Sequence, residues 1–312
     1  WTLSTGSKAH AAEIAVTTVQ SLLVIVNITG NSFVCLIIIK NKDMRGTNYD
    51  NFLVSPMISI NYLLTNLAIA DMTVATFLAP RYIFIHTFIH PDGVAGNILC
   101  RLLTGGNFAW VGAGASVFTL VTIATERYFA VMYPFENKGK LSSRKLKAII
   151  SSSWIFGIIL SLPQFIVKKF DKKLNWCVYT WSEEWMGNVY TTAWLLFTSF
   201  LPVTWMIVLY SRVVCTLWVN DNSQKGPQQG VLRVRKRVTL MVITVCAIFG
   251  VTWLTNSSNY LLHHFLKYSF LTYASASLMI MFNSAINPVL YALMSQRFRN
   301  KMKQIMRCTY RS

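Results

Sequence analysis

The chain has 312 residues, 54% of them hydrophobic and only 13% charged, with a mean hydropathy of +0.43. A soluble domain carries about a quarter charged residues, so this composition excludes a water-soluble globular fold and describes a membrane protein. The formal charge of +18 does not indicate nucleic acid, because the cations are spread over several connections instead of one soluble face with stacking aromatics.

A helix needs roughly 20 apolar residues to cross the hydrocarbon core, and seven stretches qualify: Ile14 to Ile39, Tyr62 to Ile85, Ile98 to Val131, Ala148 to Val167, Tyr190 to Val219, Val238 to Leu262, and Phe270 to Met294. The expected fold is an all-α membrane protein, a seven-transmembrane helix bundle with short connections and a short amphipathic cytoplasmic helix after span seven. Residues 1–13 are expected to be an extracellular N-terminal remnant, 14–294 the bundle, and 295–312 the amphipathic helix and cytoplasmic tail. The chain opens on Trp1, not Met, and reads as a fragment or trimmed chain.

After span one, residues 46–58 (Gly46 to Ile58) are partly apolar with no helical period, either an insertion or an error in the gene model, and are expected to be poorly ordered. In span two, Asp71 falls mid-membrane, where a bare carboxylate must be paired, protonated or metal-bound. In span three, Phe108 to Thr125 contains no ionisable residue, and the run then closes on Glu126-Arg127-Tyr128. Charge at that depth is expensive. Alone, Arg127 would be a snorkelling anchor; beside Glu126, its guanidinium has a carboxylate partner that can be exchanged for another. The connection from Lys168 to Glu184 carries Phe170, Trp176, Val178, Tyr179 and Trp181 in loose alternation, which predicts a small hairpin capping the bundle. Span six opens on Arg233-Val234-Arg235-Lys236-Arg237 with no acid, and in span seven Asn287-Pro288 removes a backbone bond and kinks the helix. Finally, Gln296 to Arg307 alternates basic and apolar residues at helical spacing, as a helix lying on the membrane surface would.

Lys40, Lys42, Arg45, Lys138, Lys140, Arg144, Lys145, Lys147, Lys225, the basic start of span six and the basic tail all fall on one side of this topology. Opposite them stand only Lys8, Arg81, Arg101, Lys168, Lys169, Lys172, Lys173 and Lys267. The positive-inside bias therefore predicts a plasma-membrane protein with its N-terminus extracellular and its C-terminus cytoplasmic. Of the six cysteines, Cys35, Cys215 and Cys246 fall within spans and Cys308 in the tail. Only Cys100 and Cys177 lie on the oxidising side, and they are expected to pair. Asn27-Ile28-Thr29 and Asn256-Ser257-Ser258 match the glycosylation pattern but lie within spans and should be unmodified.

Gly30-Asn31, Asn66 to Asp71, Cys100 with Glu126-Arg127-Tyr128, Trp154 and Pro163, Pro202 and Tyr210, Phe249 and Trp253, and Asn287-Pro288-Val289-Leu290-Tyr291 fall span by span in order. Together they resemble a rhodopsin-like (class A) G-protein-coupled receptor over essentially the whole chain. The resemblance implies that Arg127 is released when span six swings outward and receives a heterotrimeric G protein, that Phe135 inserts into that partner, and that Tyr291 moves toward Tyr210. It implies arrestin and a receptor kinase as further partners. It also implies a sodium ion as an allosteric ligand at Asp71, Ser116, Asn283 and Asn287, with Asn31 and Ser284 close by; the bland alternative is a protonated Asp71 bonded to Asn31. Two departures stand out. Without an acid at the start of span six, Arg127 has only Glu126 to hold it, which predicts a shallow lock. Span six reads Thr252-Trp253-Leu254-Thr255 where the family carries a proline, which predicts a straighter helix.

An amine ligand would need a carboxylate where span three has Ala109, and a retinal protein would need a lysine in span seven, which has none. Asn61 to Leu67 and Glu126 to Phe135 are similar to neuropeptide receptors of the neuropeptide Y, tachykinin and RFamide type, which implies an extracellular peptide ligand. Its expected pocket comprises Trp110, Ala113, Gln164, Trp253, Asn256, Asn259, Tyr260, His263, Tyr273 and Ser277. A non-peptide small ligand, or a receptor-like scaffold with little or no signalling, stays open. A transporter would show internal repeats and interrupted helices, which the sequence lacks, and no nucleophile–base pair or metal-ligand cluster suggests an enzyme.

Overall fold

The computed structural model describes residues 6–41, 56–83, 89–133, 141–219, 228–265, 270–294 and 296–309. Among them are seven helical stretches long and apolar enough to cross a membrane. Span one is Gly6–Lys40, span two Pro56–Tyr82, span four Ser143–Val167, span six Gln228–Phe265 and span seven Phe270–Met294. A separate helix, Gln296–Thr309, follows span seven as the sequence predicts. Spans three and five are composite. Span three lies centrally and packs against spans two, four, five and six, while span one closes against spans two and seven. Its burial follows its composition: Val111 to Val117 are small or slender residues, and all are buried.

Several boundaries differ from the apolar runs. Span one begins at Gly6, well before Ile14, because hydropathy marks the hydrocarbon-length run and not the helix that continues beyond it. Span two begins at Pro56, inside the segment expected to be irregular. Proline suits a first helical turn, where its missing N–H would have no partner anyway. The rest of that segment, 46–55, lies outside the described residues, as does Phe135. Span four is started by Ser142, whose side chain accepts from the Lys145 amide at 3.3 Å.

The run expected as one helix from Ile98 to Val131 is broken. It comprises a helix Gly93–Leu99, a π turn Cys100–Thr104, the pair Gly105-Gly106, and a long helix Asn107–Met132. Gly106 has φ 70°, the left-handed region that glycine enters without a Cβ clash. Span five is likewise Glu184–Leu195, a π turn Leu196–Phe200 and Leu201–Val214, continued by Cys215–Val219. Pro202 stands at the second position after the first π turn; it cannot donate to Thr198, and the wider turn absorbs the lost bond.

The capping hairpin forms as predicted. Strands β1 (Lys168–Asp171) and β2 (Trp176–Tyr179) pair antiparallel, with Lys168 opposite Tyr179 and Phe170 opposite Cys177. The Asp171 carboxylate accepts the Lys173 and Leu174 amides at 2.8 and 3.2 Å and closes the turn. The Cys100–Cys177 disulfide fastens β2 to the π turn of span three.

Polar and small residues set the helix spacing. Asn66 donates to Thr119 at 2.8 Å and Ser153 at 3.1 Å and accepts from Trp154 at 3.0 Å, so one buried amide joins spans two, three and four. Gly114 and Gly157 bring spans three and four together more closely than side chains permit. A Cβ on Gly157 would sit 2.2 Å from the Val111 carbonyl oxygen, the small-residue contact typical of membrane helices.

Candidate functional site

At the hairpin end of the bundle, Trp110, Gln164, Tyr179, Trp194, Asn256 and Tyr260 line a cavity. Gln164 is buried and held from two sides. Its amide donates to the Tyr190 hydroxyl at 2.6 Å and its carbonyl accepts the Tyr179 hydroxyl at 3.1 Å. Trp110 meets Trp194 edge-on at 5.5 Å, and Tyr179 meets Tyr260 at 6.2 Å. The Trp110 indole N–H is buried with no hydrogen-bond partner among the described residues, a donor available to whatever fills the cavity.

Of the residues expected to form this pocket, Trp110, Gln164, Asn256 and Tyr260 line it. Ala113 and Trp253 are buried outside the lining, Asn259 is half-buried, and Ser277 instead accepts from Gln20 of span one at 2.7 Å. The side chains of His263 and Tyr273 lie outside the described residues. Tyr179 and Trp194 were not anticipated as lining. In the sequence Tyr179 is marked only by the hairpin's alternation, and Trp194 follows Tyr190 by one helical turn, the spacing that places both on one face.

Below the cavity, spans five, six and seven are joined around Trp253. Ser199, presented by the π turn of span five, donates to the Trp253 carbonyl at 3.2 Å and shares a 2.6 Å hydrogen bond with Ser257. Thr252 donates to Asn283 of span seven at 3.2 Å. No proline interrupts span six from Gln228 to Phe265, and it runs as one unbroken helix.

Deeper still, Asp71 has no exposed surface. One carboxylate oxygen accepts Ser116 at 3.2 Å, the other Asn287 at 2.7 Å, and Ser284 also bonds the carboxylate. Asn31 does not take up Asp71. Its amide donates to Asn27 and, at 3.2 Å, to the Ser284 carbonyl, leaving its own side-chain oxygen buried and unpartnered among the described residues. A buried carboxylate, two hydroxyls and an orphaned amide oxygen are an all-oxygen donor set, which suits a hard monovalent cation. Asn283, placed in the same set by sequence, has its oxygen engaged by Thr252.

At the opposite end from the hairpin, Glu126 and Arg127 are 5% and 7% exposed. Arg127 Nε and Nη2 both meet Glu126 Oε2, at 2.7 and 2.6 Å, and Ser59 of span two donates to Glu126 Oε1 at 3.1 Å. The carboxylate is thus engaged on both oxygens, the second by a serine not anticipated from sequence. Tyr128 is half-buried beside Phe129 and Tyr133. Tyr210 is buried within electrostatic reach of this pair and accepts the Cys246 thiol at 3.9 Å. Tyr291 packs edge-on to Phe298 at 6.4 Å, its hydroxyl buried without a partner among the described residues. Pro288 lies within span seven. The side chains of Arg233 and Arg235 lie outside the described residues.

A family profile described as 7 transmembrane receptor (rhodopsin family) matches residues 30–291. The chain is similar to the pyroglutamylated RF-amide peptide receptor of Mus musculus, at 25% identity over 96% of this chain and 72% of that protein. It is 27% identical to the substance-K receptor of Homo sapiens, over 92% of this chain and 71% of that protein. It is also 27% identical to the allatostatin-A receptor of Bombyx mori, over 91% and 77% respectively.

Proposed function

The chain belongs to the rhodopsin family of seven-transmembrane receptors, and from that premise we propose that it binds an extracellular peptide and activates a heterotrimeric G protein. The observation that carries this reading is the buried Glu126–Arg127 pair, set at the opposite end of the bundle from an aromatic, amide-lined cavity. Arg127 in that place is a charge held ready for exchange: outward movement of span six opens the site, the G protein takes the guanidinium, and Phe135 follows it. Tyr210 and Tyr291 are buried nearby and rearrange toward each other in the open form. The N-terminus and hairpin face outward and the C-terminal helix faces the cytoplasm, where arrestin and a receptor kinase act later. A peptide ligand is supported by the relatives, which are receptors for RF-amide peptides, substance K and allatostatin A.

In this reading Asp71, Ser116 and Ser284, with Asn31 and Asn287 around them, hold sodium. The bound ion supplies a positive charge that ties spans two, three and seven in the resting state. In membranes, raising sodium chloride at constant ionic strength against choline chloride therefore weakens agonist affinity several-fold for the native chain. Asp71→Asn removes that dependence, and an unchanged sodium response in this variant would exclude the assignment.

The test of function is signalling. Transfected cells challenged with a neuropeptide library should give a saturable calcium or cyclic-nucleotide response to at least one peptide. A second reading, a receptor-like protein with little signalling, draws on the unbroken span six and its Thr252–Asn283 tie. Silence toward every peptide at normal surface expression would decide for it.

A further inference from the structure

Two polar side chains on the cavity lining have hydrogen-bonding capacity that the bundle does not use. Asn256 is 4% exposed, and its side-chain amide makes no hydrogen bond among the described residues. The Trp110 indole N–H is likewise buried without a partner among them. Gln164, on the same lining, shows the contrast: its amide reaches Tyr190 at 2.6 Å and its carbonyl receives Tyr179 at 3.1 Å.

A buried polar group left unpaired is costly, and native structures hold few of them. Local structure does not account for these two. Asparagine is among the weaker helix formers, yet Asn256 stands within span six, beside Ser257, whose 2.6 Å bond to Ser199 fixes that turn against span five. The Trp110 ring is set edge-on to Trp194 at 5.5 Å, a contact its hydrocarbon edge makes without the N–H. The unused capacity amounts to a donor from Trp110 and both donors and an acceptor from Asn256.

The lining also specifies charge. Trp110, Gln164, Tyr179, Trp194, Asn256 and Tyr260 are all uncharged groups, and a charge moved out of water needs an opposite charge or a metal. Aromatic faces can hold a cation, but the Lys168 ammonium already stands 4.9 Å from the Tyr179 ring. An amide fits what is left, because it offers an acceptor and a donor together and carries no charge.

We propose that the part of the ligand that enters the bundle is uncharged and carries an amide, whose oxygen accepts the Trp110 N–H and whose nitrogen donates to the Asn256 side-chain oxygen. Trp110 and Asn256 are then the specificity-determining pair, and acidic or basic residues of the ligand stay outside the cavity. This inference rests on the cavity being the ligand site.

The test uses the full chain in phosphatidylcholine nanodiscs and small probes of one size, so that it does not depend on signalling. Phenylacetamide carries a primary amide, N-methylphenylacetamide a secondary one, phenylacetate an anion and phenethylammonium a cation. Titrated against melting temperature, at least one amide should bind about tenfold more tightly than either ion, the size of one hydrogen bond to a buried group otherwise unpaired. Preference for the primary amide identifies a carboxamide of the ligand, and preference for the secondary one a main-chain peptide group. Trp110→Phe, which keeps the aromatic contact, and Asn256→Leu should each reduce that preference. A second readout needs no stability change. In the native chain with nitrogen-labelled tryptophan, the Trp110 indole N–H resonance, identified by its loss in Trp110→Phe, should move downfield with the amide and stay in place with toluene, which has no acceptor. An ion that binds as well as the amides, no binding up to their solubility, or an amide preference intact in both variants would overturn the proposal. A chain that signals to a peptide without any amide preference would sink this site and leave the function standing. Amide preference in a chain that answers no peptide in cells would do the opposite.

Discussion

Arg127→Ala is expected to abolish agonist-stimulated nucleotide exchange on the G protein while agonist affinity stays within a few-fold of the native value. Glu126→Gln is expected to do the reverse and raise exchange in the absence of agonist. The two follow from one geometry. Glu126 Oε2 holds two nitrogens of Arg127 and Oε1 holds Ser59, with both charged residues nearly buried. Removing one partner from a buried pair costs about 3–5 kcal/mol in the state that contains it. If the open state, in which Arg127 is exchanged, escapes even a third of that cost, the balance shifts by about tenfold. Span six contributes no acid at Arg233 to Arg237 to share the load, and neutralising Glu126 removes the carboxylate that pairs with Arg127 among the described residues. Nucleotide exchange in membranes, with surface density matched by antibody, reads both variants. Native-like exchange by Arg127→Ala would remove Arg127 from the switch.

Gly157→Ala should be among the most destabilising single methyl additions in the bundle. The new Cβ would stand 2.2 Å from the Val111 carbonyl oxygen and 3.2 Å from the Ala115 nitrogen, both backbone atoms that no rotamer change can move. Spans three and four must separate, which costs about 3 kcal/mol by overpacking and strains the Asn66 bonds that cross the same interface. Gly250→Ala is the control. Its Cβ would meet only the Val203 methyls at 3.6 Å, an ordinary contact, and helix propensity favours alanine by up to about 1 kcal/mol. Thermal inactivation of the solubilised protein should fall by many degrees for the first and hold or rise for the second. Equal melting temperatures would mean that spans three and four are not in the contact described.

The spans, the hairpin and the Cys100–Cys177 bond were legible because each depends on a local or topological property of the sequence. Hydrocarbon length sets the spans, aromatic alternation between Phe170 and Trp181 sets the hairpin, and only two cysteines share its side of the bundle. Asp71 and Glu126-Arg127 were visible because charge in an apolar run needs a reason. What stayed hidden depends on where the backbone leaves the regular helix. Gly105-Gly106 sits within an apolar stretch that hydropathy reads as continuous, and nothing in hydropathy distinguishes a left-handed glycine from one used for packing. The π turn at Leu196–Phe200 brings Ser199 round to Trp253, a placement that counting by 3.6 residues cannot give. Ser59 falls between the segment 46–58 and the apolar run that starts at Tyr62, so hydropathy gives it no place on span two and no contact with Glu126. Lys168 looked like one of several loop lysines, and only the fold shows that it is wholly buried.

Span six, without a proline and tied near Trp253 to Ser199 and Asn283, has mechanical consequences. A rod without a joint tilts as one body, so its two ends move together and in opposite directions about the point where it is held. Taking Trp253 as that fulcrum, the inner arm back to Gln228 is roughly 38 Å long and the outer arm to Phe265 roughly 18 Å, at about 1.5 Å per residue. The arms stand in a ratio of about two to one. In the proposed activation, each ångström by which a ligand drew the outer arm inward would become about two at the Gln228 end, and leverage would do the work that a kink would otherwise do.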